Sequence, residues 1–136
     1  MDISTHFLKT ESLNVLLVDD DEFHLLIHEF YLKSIGVFNY KTARNGLEAL
    51  NLIEKNAKKS EFFSVIFMDY NMPVLNGVDT TKKIKKMINE KMIPNVSIVA
   101  VTTDVHLNDS TFYMNDVLHK PVSKEAFFQK LLELVN

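Results

Sequence analysis

Three short runs rich in Val, Ile and Leu constrain the fold of this chain more than any other feature. They are "NVLLV" (Asn14–Val18), "SVIFM" (Ser64–Met68) and "VSIVAV" (Val96–Val101). A strand with one wet face alternates apolar and polar residues. Continuous apolarity suits strands covered on both faces, as in a parallel sheet. "NYKTA" (Asn39–Ala43) is a weaker strand, and "DVLHK" (Asp116–Lys120) is the weakest, stopping at Pro121. Helical patterns fill the intervals. Phe23, Leu26, Ile27, Phe30, Tyr31 and Ile35 form a stripe at helical period. Leu47, Leu50 and Ile53 mark a second helix. Thr81, Ile84 and Ile88 mark a third. Phe128, Leu131, Leu132 and Val135 mark a last one, with Ser123 placed as its N-cap. The stretch Asp104–Tyr113 reads equally as one short helix or as a loop. All glycines (Gly36, Gly46, Gly77) and all prolines (Pro73, Pro94, Pro121) fall at junctions. The order is strand then helix, repeated five times. It predicts one α/β domain with a parallel sheet and right-handed crossovers.

A chain of 136 residues suits a single domain with a real core. Residues 1–12 read as a short extension and 13–136 as the domain. The net charge of −3 offers no electrostatic basis for binding nucleic acid or an anionic membrane. "KKIKKMINEK" is lysine-rich but has no interleaved aromatics, and reads as a solvated helix face. There is no cysteine, hence no disulfide framework, thiolate nucleophile or Cys-based zinc site. No apolar run approaches the roughly 20 residues needed to span a bilayer.

In open α/β sheets, ligands bind beyond the carboxyl ends of the strands. The first strand ends in "VDDDE", with Asp19 and Asp20. The third ends in "MDYN", with Asp69. The fourth ends in "VTTD", with Thr102 and Thr103. The fifth ends in "HKP", with Lys120. Ionised carboxylates this close raise one another's pKa, and a divalent cation relieves the repulsion. Mg²⁺ suits such a site, because it takes oxygen ligands, keeps several waters and pairs with substrate phosphates. Phosphoryl transfer depends on positioning and charge neutralisation, and an aspartate can itself be the nucleophile. Lys120 would supply a compact positive charge and Thr102 a hydroxyl donor. Each residue also has a plainer reading. Taken alone, an aspartate before a helix caps it more often than it reacts. Asp21 and Glu22 read as caps of the first helix. His24 and His28 have metal-ligand spacing but lack the Glu that a zincin pattern requires, and read as ordinary helix residues. His119 should alternate to the other side of the strand from Lys120.

"VLLVDDDE", "VIFMDYNMPVLNG", "VAVTTD" and "VLHKPVSKEAF", in this order and each at a strand end, resemble the receiver domain of two-component response regulators and hybrid histidine kinases. The resemblance covers roughly Leu13 to Val135. It implies a flavodoxin-like (βα)5 three-layer sandwich with strand order 2-1-3-4-5. It implies that Asp69 is the phosphoacceptor and that Asp19 and Asp20 organise Mg²⁺, Asp20 more directly. Asn71 would ligate the metal through its backbone carbonyl. Thr102 would be the switch hydroxyl and Lys120 the phosphoryl-binding lysine, with a cis Lys120–Pro121 bond. Asn71 and Asp104 fall at positions that tune dephosphorylation. The implied partner is a histidine kinase or histidine phosphotransfer protein. The implied output surface is the fourth helix, fifth strand and last helix. The protein would act in the cytoplasm, alone or within a membrane-anchored hybrid kinase, as a signalling protein that catalyses only its own phosphorylation and slow dephosphorylation.

Departures from the family pattern cluster near the output surface. Val117 stands where an aromatic ring is common, which removes a ring-swing readout. The span from Thr102 to Lys120 lacks about one helical turn, so a shortened or irregular fourth helix is expected. Tyr113 stands where Gly is frequent, and Thr103 where Ala or Gly is. An interaction module that works without phosphorylation is the alternative. A phosphohydrolase is disfavoured, because Asn71 stands where a second acid would be needed.

Overall fold

The computed structural model describes residues 13–103, 114 and 116–135. Five strands, β1 (Val15–Val18), β2 (Tyr40–Ala43), β3 (Val65–Asp69), β4 (Ser97–Thr102) and β5 (Asp116–His119), form one sheet. All neighbours are parallel and the order is β2-β1-β3-β4-β5. Four helices are described: α1 (Glu22–Ser34), α2 (Gly46–Ala57), α3 (Gly77–Asn89) and α4 (Lys124–Val135). The expected short helix between β4 and β5 lies outside the described residues, as does the 1–12 extension.

Strand alternation divides the core into two layers. Leu16, Val18, Ile66, Met68, Ile98 and Ala100 face α2 and α3, meeting Ala49, Ile53, Ile84 and Met87. Val15, Leu17, Val65, Phe67, Val99 and Val101 face α1 and α4, meeting Leu25, Leu32, Phe127 and Leu131. Each central strand therefore buries both faces, which is why the runs read as continuously apolar. Phe67 stacks on Phe127 at 4.4 Å between ring centroids. A buried aromatic of this size contributes about 2–3 kcal/mol through surface removed from water.

The helices begin where side chains satisfy their first N–H groups. Asp21 accepts from Phe23 N, Asn45 from Glu48 N and Asn76 from Asp79 N. Ser123 Oγ accepts from Ala126 N at 3.1 Å, as its expected capping role requires. Gly46 is required by close approach. A Cβ there would lie 1.8 Å from Thr80 Oγ1, so α2 can meet α3 only without one.

The sequence stripe on α1 marks the core face only in part, through Tyr31 and Ile35, which pack against the layer of α1 and α4. Leu25, His28 and Leu32 are buried, whereas Phe23, Leu26 and Phe30 are 68%, 63% and 65% exposed. The helix is apolar on two sides. The Asp21 cap and the fit of Leu25 and Leu32 against the sheet and α4 decide which side turns inward. His28 joins that inner face, stacked on Phe127 at 5.3 Å. Burial pushes its pKa down to about 4, so it packs there as a neutral ring. Leu47, on α2, is likewise exposed.

Candidate functional site

The carboxyl edge of the sheet gathers charge. Val18 pairs with Met68 and Asp69 pairs with Val101, so Asp19, just past β1, is level with Asp69 at the end of the central strand. Lys120 follows β5, and its N–H donates to the carbonyl of Thr102 at 2.8 Å. Asp19 and Asp69 are 3% and 4% exposed. The Lys120 ammonium lies between them, with Nζ 3.0 Å from Asp19 Oδ2 and 3.3 Å from Asp69 Oδ1. Asp19 is fixed from the other side, its Oδ1 accepting from Asp21 N at 2.9 Å. Asp20 is exposed and completes the cluster. One carboxylate oxygen from each of Asp19, Asp20 and Asp69 lies within 4.8 Å of the others.

The backbone after Asp69 is held as tightly as the carboxylate. Tyr70 N donates to Val101 O and Gly77 N donates to Tyr70 O, both at 3.0 Å. The loop from Asn71 to Asn76 thus folds back over the strand end. A Cβ on Gly77 would lie 2.3 Å from the Asp69 carbonyl oxygen, so only glycine lets α3 start here. Within this loop Val74 has φ 72°, a left-handed conformation that a β-branched side chain resists.

Three carboxylates face one ammonium. Burial first, and the charge of Asp19 second, push the Asp69 carboxyl up to about 7, although Lys120 pulls it down. Burial alone would lower the Lys120 pKa. The hydrogen bond to Asp19 and the charges of Asp69 and Asp19 instead hold it above its usual value. An oxygen-only cluster that attracts protons at neutral pH, buried on one side and open at Asp20, fits a hard divalent cation that keeps part of its water shell.

The structure brings Asp19, Asp20, Asp69 and Lys120 together. Thr102 is buried at the end of β4, one residue past the partner of Asp69. The Asn71 side chain is exposed. Thr103 and His119 are exposed as well, and Val117 packs against the α2/α3 layer. The Lys120–Pro121 bond is cis, as the family pattern implied. Asp104 and Tyr113 lie outside the described residues. His24, which reads in the sequence as an ordinary helix residue, lies beside the site. Its Nδ1 sits 3.6 Å from Asp19 Oδ2 and 3.5 Å from Asp21 Oδ2, so it flanks the site from the first turn of α1. The available signal was its position, five residues past the end-of-strand Asp19.

Such an edge, on a parallel sheet of this order, marks a signalling receiver. The chain belongs to the response regulator receiver domain family, whose model matches residues 15–136. It is 35% identical over 127 residues to the two-component response regulator ARR22 of Arabidopsis thaliana, covering 93% of this chain and 87% of that protein. A co-crystal structure of the Saccharomyces cerevisiae histidine phosphotransfer protein Ypd1 with the receiver domain of Ssk1 contains a similar chain. That match has 30% identity, TM-score 0.79 and coverage of 90% and 88%. The receiver of the sensor histidine kinase PA1611 from Pseudomonas aeruginosa, solved with magnesium in its active-site cleft, is similar at 26% identity, TM-score 0.76 and coverage of 90% and 97%. The chain is thus a receiver of the histidine-to-aspartate phosphorelay class. Among the described residues, no helix is long and apolar enough to cross a membrane.

Proposed function

We propose that residues 13–136 form a cytoplasmic receiver in which Asp69 takes a phosphoryl group from a phosphohistidine of a kinase or phosphotransfer protein. The observation that carries this reading is the buried Asp69 carboxylate in contact with Lys120 and clustered with Asp19 and Asp20. An Asp69 oxygen attacks phosphorus, the P–N bond breaks, and its electron pair returns to the imidazole nitrogen of the donor. The product is an acyl phosphate on Asp69. Asp20, Asp69 and the Asn71 backbone carbonyl would hold Mg²⁺, with Asp19 organising its shell. When bound, the ion supplies charge neutralisation to the phosphoryl oxygens. Lys120, at the end of β5 two strands from Asp69, reaches across to meet the same oxygens, and Thr102, at the end of the intervening β4, offers a hydroxyl beside them. Asp19 keeps Lys120 aimed inward. The burial that raises the Asp69 pKa also keeps water from the acyl phosphate, so hydrolysis is slow.

The donor docks on the outer face of α1. Phe23, Leu26 and Phe30 are exposed on a helix that starts two residues past Asp20, so a partner seated there reaches the open side of the cluster. The PA1611 and Ssk1 structures support a bound magnesium and a phosphotransfer partner for the class.

Incubation with acetyl phosphate and Mg²⁺, followed by intact mass measurement, tests the chemistry. One phosphate should be gained, and the gain should vanish in Asp69→Asn and with a chelator. No gain under any condition would overturn the reading in favour of a module that works without phosphorylation. Leu26→Ser with Phe30→Ser tests the docking face. Labelling by acetyl phosphate should be unchanged, while transfer from a phosphorylated histidine phosphotransfer domain should fall at least about ten-fold, as loss of interface anchors does.

A further inference from the structure

Between the buried and exposed faces of α1 lies a half-buried residue with a distant partner. The hydroxyl of Tyr31 donates to the carbonyl of Val122 at 3.0 Å, 91 positions along the chain. Val122 is two residues past Lys120, on the loop that leads into α4. The Tyr31 ring is set by α4, with Phe127 at 5.5 Å and Phe128 edge-on at 6.3 Å. Phe127 in turn stacks on Phe67, two residues before Asp69 on the central strand. The Tyr31 hydroxyl is therefore referenced, through two rings, to the strand that carries Asp69.

The loop needs such a hold. Lys120 N is tied to Thr102 O, but Pro121 has no N–H to give. The next described anchor is the Val122 carbonyl, and Tyr31 supplies its donor. The two bonds bracket Lys120 and Pro121. They fix the backbone from which a long, flexible side chain must place its ammonium 3.0 Å from Asp19 and 3.3 Å from Asp69.

We propose that Tyr31 is a positioning residue for the phosphoryl chemistry, holding the loop that carries Lys120 through its bond to the Val122 carbonyl. The role is exerted through Lys120 and rests, for its catalytic part, on the phosphoacceptor reading of Asp69. It also gives α1 two tasks on adjoining faces, since Tyr31 directly follows the exposed Phe30. A plainer account has Tyr31 as packing between α1 and α4, its hydroxyl incidental.

Tyr31→Phe separates these accounts, because it keeps the ring and removes only the donor. Amide hydrogen exchange reads the hold without any phosphorylation. Exchange at Lys120 should quicken about five-fold, the effect of one ordinary hydrogen bond. The amides of Asp19 and Tyr70, bonded to Ala43 O and Val101 O, should not change. Labelling by acetyl phosphate reads the chemistry in four proteins: wild type, Tyr31→Phe, Lys120→Ala and the double variant. The substitution should slow labelling about five-fold when Lys120 is present and less than about two-fold when it is absent. Unchanged exchange at Lys120, or equal slowing in both backgrounds, overturns the proposal. A wild-type protein that takes no phosphate would sink the Asp69 reading instead, and the exchange measurement would still decide whether Tyr31 holds the loop.

Discussion

The same strands end in opposite chemistry. At the amino edge of β1 and β3, neutral polar groups pair with one another, with only the Asn14 Oδ1 among them left buried without a partner. Asn14 N donates to Ser64 Oγ at 2.9 Å, Ser64 Oγ donates to Asn14 O at 3.1 Å, and Asn14 Nδ2 donates to Phe62 O at 3.2 Å. At the carboxyl edge, five residues further along β1 and β3, the carboxyls of Asp19 and Asp69 are buried together, and burial and the charge of Asp19 raise the Asp69 pKa. Lys120 is the ammonium that bridges them. The first edge fastens β1 to β3. The second holds repulsion and a strained Val74, which is the form expected of a site that awaits a cation and a phosphoryl group.

Changes at the two edges should therefore have different consequences. Gly77→Ala should have the largest effect. Its Cβ would lie 2.3 Å from the Asp69 carbonyl oxygen, so α3 must shift. A loss of about 3 kcal/mol in urea unfolding is expected, together with slower labelling of Asp69. Native stability with full labelling would show that the loop yields freely.

Asp69→Asn should stabilise the metal-free protein by about 2 kcal/mol at pH 7.5. The sign follows from the pKa raised to about 7. Between the ordinary carboxylate value and 7, the folded state binds more protons than the unfolded state. Wild-type stability therefore falls as pH rises through that window. The advantage of the variant should fade towards pH 4, and Mg²⁺ should erase it at neutral pH by stabilising the wild type. Thermal melts with and without chelator check this, and a destabilised variant at pH 7.5 would contradict it.

Ser64→Ala belongs to the other edge. It leaves the buried Asn14 N–H without its acceptor and should cost about 1–2 kcal/mol, with the acetyl phosphate labelling rate unchanged. A change in labelling would mean the two edges are not independent. Val74→Asn should have the smallest effect, a gain of about 0.5–1 kcal/mol, because Asn tolerates the left-handed backbone at φ 72°. A loss would show that the Val74 side chain makes contacts worth more than the strain.

The sheet and the acidic edge were legible for one reason. A strand buried on both faces leaves an unbroken apolar run, and a carboxylate ending such a run is placed by the strand alone. Asp19, Asp69 and Lys120 could be located without knowing any helix. The facing of α1 was only partly legible, because Phe23, Leu26 and Phe30 are more apolar as a group than the Leu25, His28 and Leu32 that the fold buries, while Tyr31 and Ile35 of the same stripe do pack on the core. Periodicity reports that a helix has a face but cannot say which of two faces meets the sheet. His28 shows the same limit. A histidine counts as polar in a pattern, yet stacked on Phe127 it behaves as an aromatic filler. The Tyr31–Val122 bond joins residues 91 positions apart and leaves no local pattern at all.

Tyr70 has a practical consequence. The chain has no tryptophan and four tyrosines, so its ultraviolet emission comes from few sources. One of them adjoins Asp69 in sequence and is half-buried, with its backbone pinned on both sides. Titration of the site with a divalent ion or with beryllofluoride should be visible as a change in tyrosine emission, without any label. Tyr70→Phe would show how much of that signal originates beside the phosphoacceptor.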